Sequence, residues 1–132
     1  VIAADTSSWI AFLEGSTGDD VQLLDRALED GQVVMVPVVL TELLSDASLP
    51  AQVVKTISDL PLLQVASGYW QRAGALRAKV LATRRKARLG DALIAQSCID
   101  QSISLITRDR DFRAFSAAAN LNLLFGTAAR RP

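Results

Sequence analysis

The sequence predicts an α/β fold built on an open parallel sheet. Three observations carry that prediction. Short strand-like runs, β-branched at Val33 to Val36 and Ser102 to Thr107 and leucine-rich at Leu121 to Phe125, alternate with runs of helical periodicity along the chain. The 33–36 run is apolar at every position, as suits a strand covered on both faces. Finally, Arg88 to Phe112 is a helix followed directly by a strand, half of a βαβ unit, with an acidic residue at each end.

The chain has 132 residues, the size of one domain, expected to span 1–132 with 126–132 as a flexible basic tail. It is 50% apolar and 21% charged, a globular balance that excludes a disordered or fibrous class. Val33 to Leu40 is the longest near-continuous apolar run, far short of the roughly 18 to 20 residues of a membrane span, and no N-terminal stretch has signal-peptide layout. A soluble, cytoplasmic protein without membrane contact is expected. The single cysteine, Cys98, excludes an internal disulfide and lies on an apolar helix face, where it is expected to be core.

There is no histidine, which removes imidazole acid-base catalysis, Ser-His-Asp hydrolysis and the usual zinc sites. Any catalysis therefore rests on carboxylates, hydroxyls or basic groups. The net charge of zero hides a polarity: residues 1–67 hold ten acids against two bases, and 68–132 hold four acids against twelve bases. Such asymmetry suits an anionic partner met by one face; an internally neutralised surface explains it equally well.

Taken in order, Val1 to Ala4 forms a short buried strand ending at Asp5, with Thr6, Ser7 and Ser8 starting a helix whose apolar face holds Trp9, Ile10, Phe12 and Leu13. Asp5 suits an N-cap. A loop at 15–18 leads to a helix through Val21, Leu24 and Leu28, which Gly31 ends. After the strand at 33–36, Pro37 opens a helix to Leu44 that carries Glu42 one turn in. Taken alone, Glu42 is a surface residue. Its position nevertheless aims it at the sheet end that Asp5 occupies. A helix is expected from Ser48 to Asp59, then an edge strand at 61–65.

Ser67 is expected to cap a long helix through Trp70, Leu76 and Leu81, which runs into Thr83-Arg84-Arg85-Lys86-Ala87-Arg88. That basic cluster is either a solvated helix end or a phosphate-holding patch. Gly90 and Asp91 open the next helix, the 102–107 strand ends in the turn of Asp109 and Asp111, and a short helix closes at Phe115 before the last strand. Ligands of open parallel sheets bind beyond the carboxyl ends of the strands, so Asp5, Glu42, Asp91 and Asp109 converge by topology. Gathering like charges raises carboxyl pKa values unless a cation offsets them. A hard divalent cation is the economical answer, and oxygen-only ligation suits Mg²⁺ or Mn²⁺.

Four segments, A-A-D-T-S-S-W-I-A-F, V-V-L-T-E-L-L, G-D-A-L-I-A-Q and L-I-T-R-D-R-D-F, resemble the PIN domain, and within it the VapC-like ribonuclease toxins of type II toxin-antitoxin systems. The resemblance implies a three-layer α/β/α fold around a parallel sheet of about five strands, metal-dependent endonucleolytic cleavage of RNA such as structured tRNA or rRNA, and inhibition by a cognate antitoxin. By position, Asp5, Glu42, Asp91 and Asp109 match the acidic quartet, and Ser7 and Thr107 match nearby hydroxyls. Asp111 is a helix cap or a group behind the metal ligands. In this reading Asp5 and Asp91 hold the main ion and Asp109 shares it or a second one. Glu42 orients or deprotonates water. Arg84, Arg85, Lys86, Arg88, Arg108 and Arg110 are candidates for gripping the RNA backbone. Apolar faces at 21–28 and 49–60 suit a homodimer.

Rival acidic-pocket folds fit less well. A phosphoacceptor receiver needs an aspartate after the third strand, where Gln64-Val65-Ala66 stands, and a dehalogenase-type phosphatase needs D-x-D where the chain has Asp5-Thr6-Ser7. A PIN-like module that binds RNA or protein without cutting is the remaining alternative; the presence of all four acids argues against it.

Overall fold

Strand β1 (Ile2–Ala4) is one edge of a three-stranded sheet, extended beyond it by two bridged segments, in this computed structural model, which describes residues 1–125. The basic tail expected at 126–132 lies outside the described residues. β1 pairs in parallel with β2 (Ser104–Ile106), and β2 pairs in parallel with β3 (Leu123–Leu124). On its other side Ile2 makes one parallel bridge with Val33, and Met35 makes one with Leu62. The five expected strands are thus present as three strands and two bridged segments.

Proline explains the shortening. Pro61 has no N–H to extend pairing and can only accept, from the Met35 amide at 2.7 Å; Leu63 N–H returns one bond to Met35 at 2.9 Å. Pro37, two residues beyond Met35, already turns the chain into helix.

Successive strand residues face opposite sides of a sheet, and Ala3, Ala4, Leu105 and Ile106 are all 1% exposed or less. Both faces are therefore covered. The cover is supplied by α1 (Thr6–Leu13), α2 (Asp19–Glu29), α3 (Pro37–Leu44), α4 (Ala51–Ser58), α5 (Tyr69–Ala82), α6 (Leu89–Gln101) and α7 (Phe112–Ala118). Both α2 and α6 touch β2, and α6 packs most extensively on α5. Five consecutive residues of α6, Ile94 to Cys98, are buried, so this helix is enclosed nearly all round. Cys98 is core as expected, and burial pushes its thiol up to about 12.

Phe112 and Phe115 of α7 are fully buried with ring centroids 6.1 Å apart. Burying a side chain of that size contributes about 1.5–3 kcal/mol, enough to hold the loop just before α7 in place. That loop carries Asp109 and Asp111.

Three local expectations need correction. The helix expected from Ser67 starts at Tyr69, after Gly68 at φ 79°, a left-handed conformation that glycine adopts without strain. The helix expected from Ser48 starts at Ala51, because Asp46 Oδ1 accepts from Ser48 N–H at 2.9 Å and the Ser48 hydroxyl at 2.6 Å, forming a turn, and Pro50 then begins the helix. The basic cluster is not a helix end. α5 stops at Ala82, Arg84 takes φ 62°, and the bases lie in the connection to α6. Among the described residues no helix is long and apolar enough to cross a membrane.

Candidate active site

Parallel pairing of Ala4 with Ile106 brings the carboxyl ends of β1 and β2 to one level, so Asp5 and Thr107 stand side by side. The Asp5 amide donates to the Ile106 carbonyl at 3.0 Å, which fixes that level. Asp5 is then both the N-cap of α1 and the floor of the site. Its Oδ1 accepts the Ser8 N–H at 2.9 Å, the Ser7 hydroxyl reaches both its oxygens at 2.9 Å, and the Thr107 hydroxyl donates to Oδ2 at 2.5 Å. Thr107 Oγ1 in turn accepts the Asp109 amide at 2.9 Å, so its own proton must point to Asp5. Burial raises the Asp5 carboxyl above its ordinary range; the bonds from Thr107, Ser8 and Ser7 oppose the rise, and Asp109 adds to it.

Asp91 enters from the first turn of α6. Its carboxyl is raised to about 6, first by burial and then by the negative charges of Asp109, Asp5 and Glu42, with Arg88 opposing. That repulsion identifies the four acids as neighbours in one electrostatic site. Glu42 leans in from α3, its Oε1 accepting the Thr6 hydroxyl at 2.5 Å. The approach is close: a Cβ at position 90 would lie 3.3 Å from Glu42 Oε2, so Gly90 leaves the room.

Asp109 Oδ1 accepts the Asp111 amide at 2.9 Å, an Asx-type turn that shapes the loop. Asp111 stands at the N-cap of α7 but makes no side-chain cap bond. Instead Asp111 Oδ2 faces Lys86 Nζ at 3.6 Å and an Arg88 amino group at 3.9 Å, and the same Arg88 group lies 3.7 Å from Asp109. The basic connection therefore leans over the acidic loop. Arg84 and Arg85 are exposed and have no carboxylate partner among the described residues.

Arg108 behaves differently from the other basic candidates. Its guanidinium forks onto Asp20, Nε to Oδ2 at 2.8 Å and one amino group to Oδ1 at 3.1 Å, and the Ser8 hydroxyl also donates to Asp20 at 2.8 Å. This ties the end of β2 to the start of α2. Arg110 is exposed on the acidic loop.

Thr6, Gly90 and Asp20 escaped the sequence reading. Thr6 and Gly90 each adjoin a recognised acid, the one signal available; Asp20 meets Arg108 across 88 residues, with no local sign.

The donor set fits a hard divalent cation: every candidate ligand is a carboxylate oxygen, and their mutual repulsion is what a cation relieves. Among the described residues no three acids or thiols close into a ready-made cage. Mg²⁺ keeps several waters and takes only one or two carboxylates directly.

Comparison with known proteins follows the same lines. The profile of the PIN domain matches residues 2–118. Ribonuclease VapC5 of Mycobacterium tuberculosis (strain ATCC 25618 / H37Rv) is 26% identical over 126 residues, 91% of either chain. Among solved structures, FitAB bound to IR36 DNA fragment aligns with TM-score 0.71 at 18% identity over 94% of both chains. VapBC2 from Rickettsia felis bound to a DNA fragment from their promoter aligns at 0.70 and 19% identity, covering 93% of this chain and 96% of that one. VapBC-5 from Mycobacterium tuberculosis, of the VapBC family of toxin-antitoxin systems, aligns at 0.66 and 22% with the same coverage. At these identities the structural likeness speaks to the fold, and the profile, matching nearly nine-tenths of the sequence, speaks to descent: the chain belongs to the PIN domain family.

Proposed function

We propose that this protein is a Mg²⁺- or Mn²⁺-dependent endoribonuclease, the toxin of a toxin-antitoxin pair, acting as a single PIN-like domain. The observation that carries the reading is the gathering of Asp5, Glu42, Asp91 and Asp109 at the carboxyl end of a parallel sheet, where burial first and then the charges of the other three raise Asp91 to about 6. The similarity to Ribonuclease VapC5 supports the activity, and the similarity to VapBC toxin-antitoxin structures supports a cognate antitoxin.

Asp5, Asp91 and Asp109 hold the ion in this reading. When bound, the ion would lower the pKa of a water and offset charge developing on the phosphate. Glu42 takes the water's proton on Oε2, while the Thr6 hydroxyl on Oε1 keeps the carboxylate oriented. Ser7 and Thr107 hold Asp5 in place by donating to it. Water attacks phosphorus as the bond to the 3′ oxygen breaks, and that oxygen takes a proton from solvent, leaving 5′-phosphate and 3′-hydroxyl ends. Lys86 and Arg88, already beside the acidic loop, move to the incoming phosphates. Asp111, without a capping bond, draws both cations toward the site.

A homodimer and an antitoxin segment presenting an arginine to the acids complete the proposal, since a guanidinium matches carboxylates in pairs. The test is cleavage of structured tRNA or rRNA by purified, partner-free protein. Activity with Mg²⁺ or Mn²⁺, arrest by EDTA and 5′-phosphate ends are expected. Undiminished cleavage in EDTA, or 2′,3′-cyclic phosphate ends, overturns the mechanism; RNA binding without cleavage in either metal leaves a binding module.

A further inference from the structure

Beside the acidic loop, α5 and α7 form a groove of about 350 Å³ whose chemistry is the reverse of the acid site. The described residues lining it are Val80, Thr83, Ala114, Ala117 and Ala118 with the bases Lys79 and Arg85, and none of them is a carboxylate. Arg85 has no carboxylate partner among the described residues, while its neighbour Lys86 reaches Asp111 at 3.6 Å. Lys79 gives one proton to the Ala118 carbonyl at 3.1 Å, which leaves two donors for a ligand and anchors the ammonium over the groove. α7 begins at Phe112, immediately after Asp111, and Arg85 adjoins Lys86, which reaches Asp111, so both walls of the groove are chain neighbours of the acidic loop.

We propose that this groove is the track along which a single RNA strand runs as it leaves the acid site, with Arg85 and Lys79 holding its phosphates. The inference rests on the ribonuclease reading and extends it, dividing the basic residues by task. Lys86 and Arg88 serve the site of cleavage; Arg85, together with Lys79, serves the flanking strand. Charge complementarity selects the occupant: an unpaired guanidinium and an ammonium beside a shallow alanine floor suit a phosphate backbone, and the floor offers no aromatic ring on which a base would stack. The track is accordingly expected to hold RNA without sequence preference.

The probe is a fluorescein-labelled oligouridylate of about 12 nucleotides, compared with one of about 4 that is too short to leave the acid site. Anisotropy is read with Ca²⁺ present, between about 50 and 200 mM salt. Lys79→Gln/Arg85→Gln is set against the charge-matched Arg26→Gln/Lys55→Gln on α2 and α4, and Arg85→Gln alone serves if the Lys79 bond proves necessary for folding. For two lost contacts to a single strand, the log-log salt slope should fall by about 1.4, and binding of the long probe should weaken roughly tenfold. The short probe and the control variant should be unchanged. An unaltered slope for the long probe overturns the track. So does poly-glutamate binding that these substitutions abolish while RNA binding persists, which makes the groove a protein-docking surface. A wild-type protein that binds neither probe overturns the ribonuclease reading itself, a failure distinct from that of the groove.

Discussion

Asp5 and Asp20 expose almost the same small surface, 2% and 3%, and both accept hydrogen bonds from the opening serines of α1, yet Asp5 lies deeper among protein atoms and their carboxyls move in opposite directions. Burial raises both. At Asp20 the forked bond from Arg108, the Ser8 hydroxyl and the Arg108 charge outweigh it, and the carboxyl ends below its ordinary range. At Asp5 the Thr107, Ser8 and Ser7 donors do not outweigh it, and Asp109 pushes the same way. Hydrogen-bond donors satisfy oxygen atoms; they do not neutralise charge. The Asp20 clamp carries its own counterion, whereas the sheet-end acids keep a net repulsion of the kind a bound cation would relieve.

Removing one member from each region sharpens that contrast. The largest effect is expected on chemistry. Asp91→Asn keeps the side-chain shape and should lower RNA cleavage by orders of magnitude, and full activity in a single-turnover assay with Mg²⁺ would end the metal-site argument at this residue.

Next in size is the clamp. Arg108→Ala leaves Asp20 buried without its partner and should destabilise the fold by about 2 kcal/mol in urea melts. That is less than the roughly 3–5 kcal/mol of a fully buried pair because the Arg108 side chain is 40% exposed. A loss under a few tenths of a kcal/mol would make Asp20 the same kind of uncompensated acid as Asp5.

The smallest effect has the opposite sign. Without metal, Asp91→Asn removes a repelled charge and should stabilise the protein by ~1 kcal/mol near neutral pH. Asp91 binds its proton more tightly folded than unfolded, because its pKa is raised from 3.8 to about 6. Its favourable contribution is therefore complete below about pH 4 and disappears as pH rises to about 6. Metal-free wild type should weaken across that window, and Asp91→Asn should flatten the slope. Asp20 works in reverse, its contribution being lost as acid protonates it. Added Mg²⁺ should raise the wild-type melting temperature and barely move the variant's; equal shifts would place the ion elsewhere.

Residues whose environment is decided locally were legible in the sequence. Asp5 and Asp109 follow short apolar runs, Asp91 opens an apolar-periodic run, and strand-end topology alone brings such acids together. The Asp20–Arg108 pair was not legible: Arg108 sits in the same T-R-D-R-D stretch as Arg110, and only a partner 88 residues away separates them. The sequence left the basic run open between a helix end and a phosphate-holding patch because no glycine marks the stop of α5; Arg84 itself takes a left-handed conformation like that of Gly68 before α5. The two segments beyond β1 are reduced to bridges because Pro37 and Pro61 limit pairing from opposite sides, a joint effect that neither segment displays alone.

Gly90 sets a trap for anyone seeking a hardier enzyme. It is the second residue of α6 with an ordinary helical backbone, where alanine is favoured by some part of the roughly 0.5–1 kcal/mol it gains in a helix interior. Selection for heat resistance would therefore favour Gly90→Ala. The added methyl would press on Glu42 Oε2, and a carboxylate on a flexible stem yields by swinging aside. Survivors of such a screen should be robust and catalytically poor, with one hydrogen-sized vacancy separating durability from turnover.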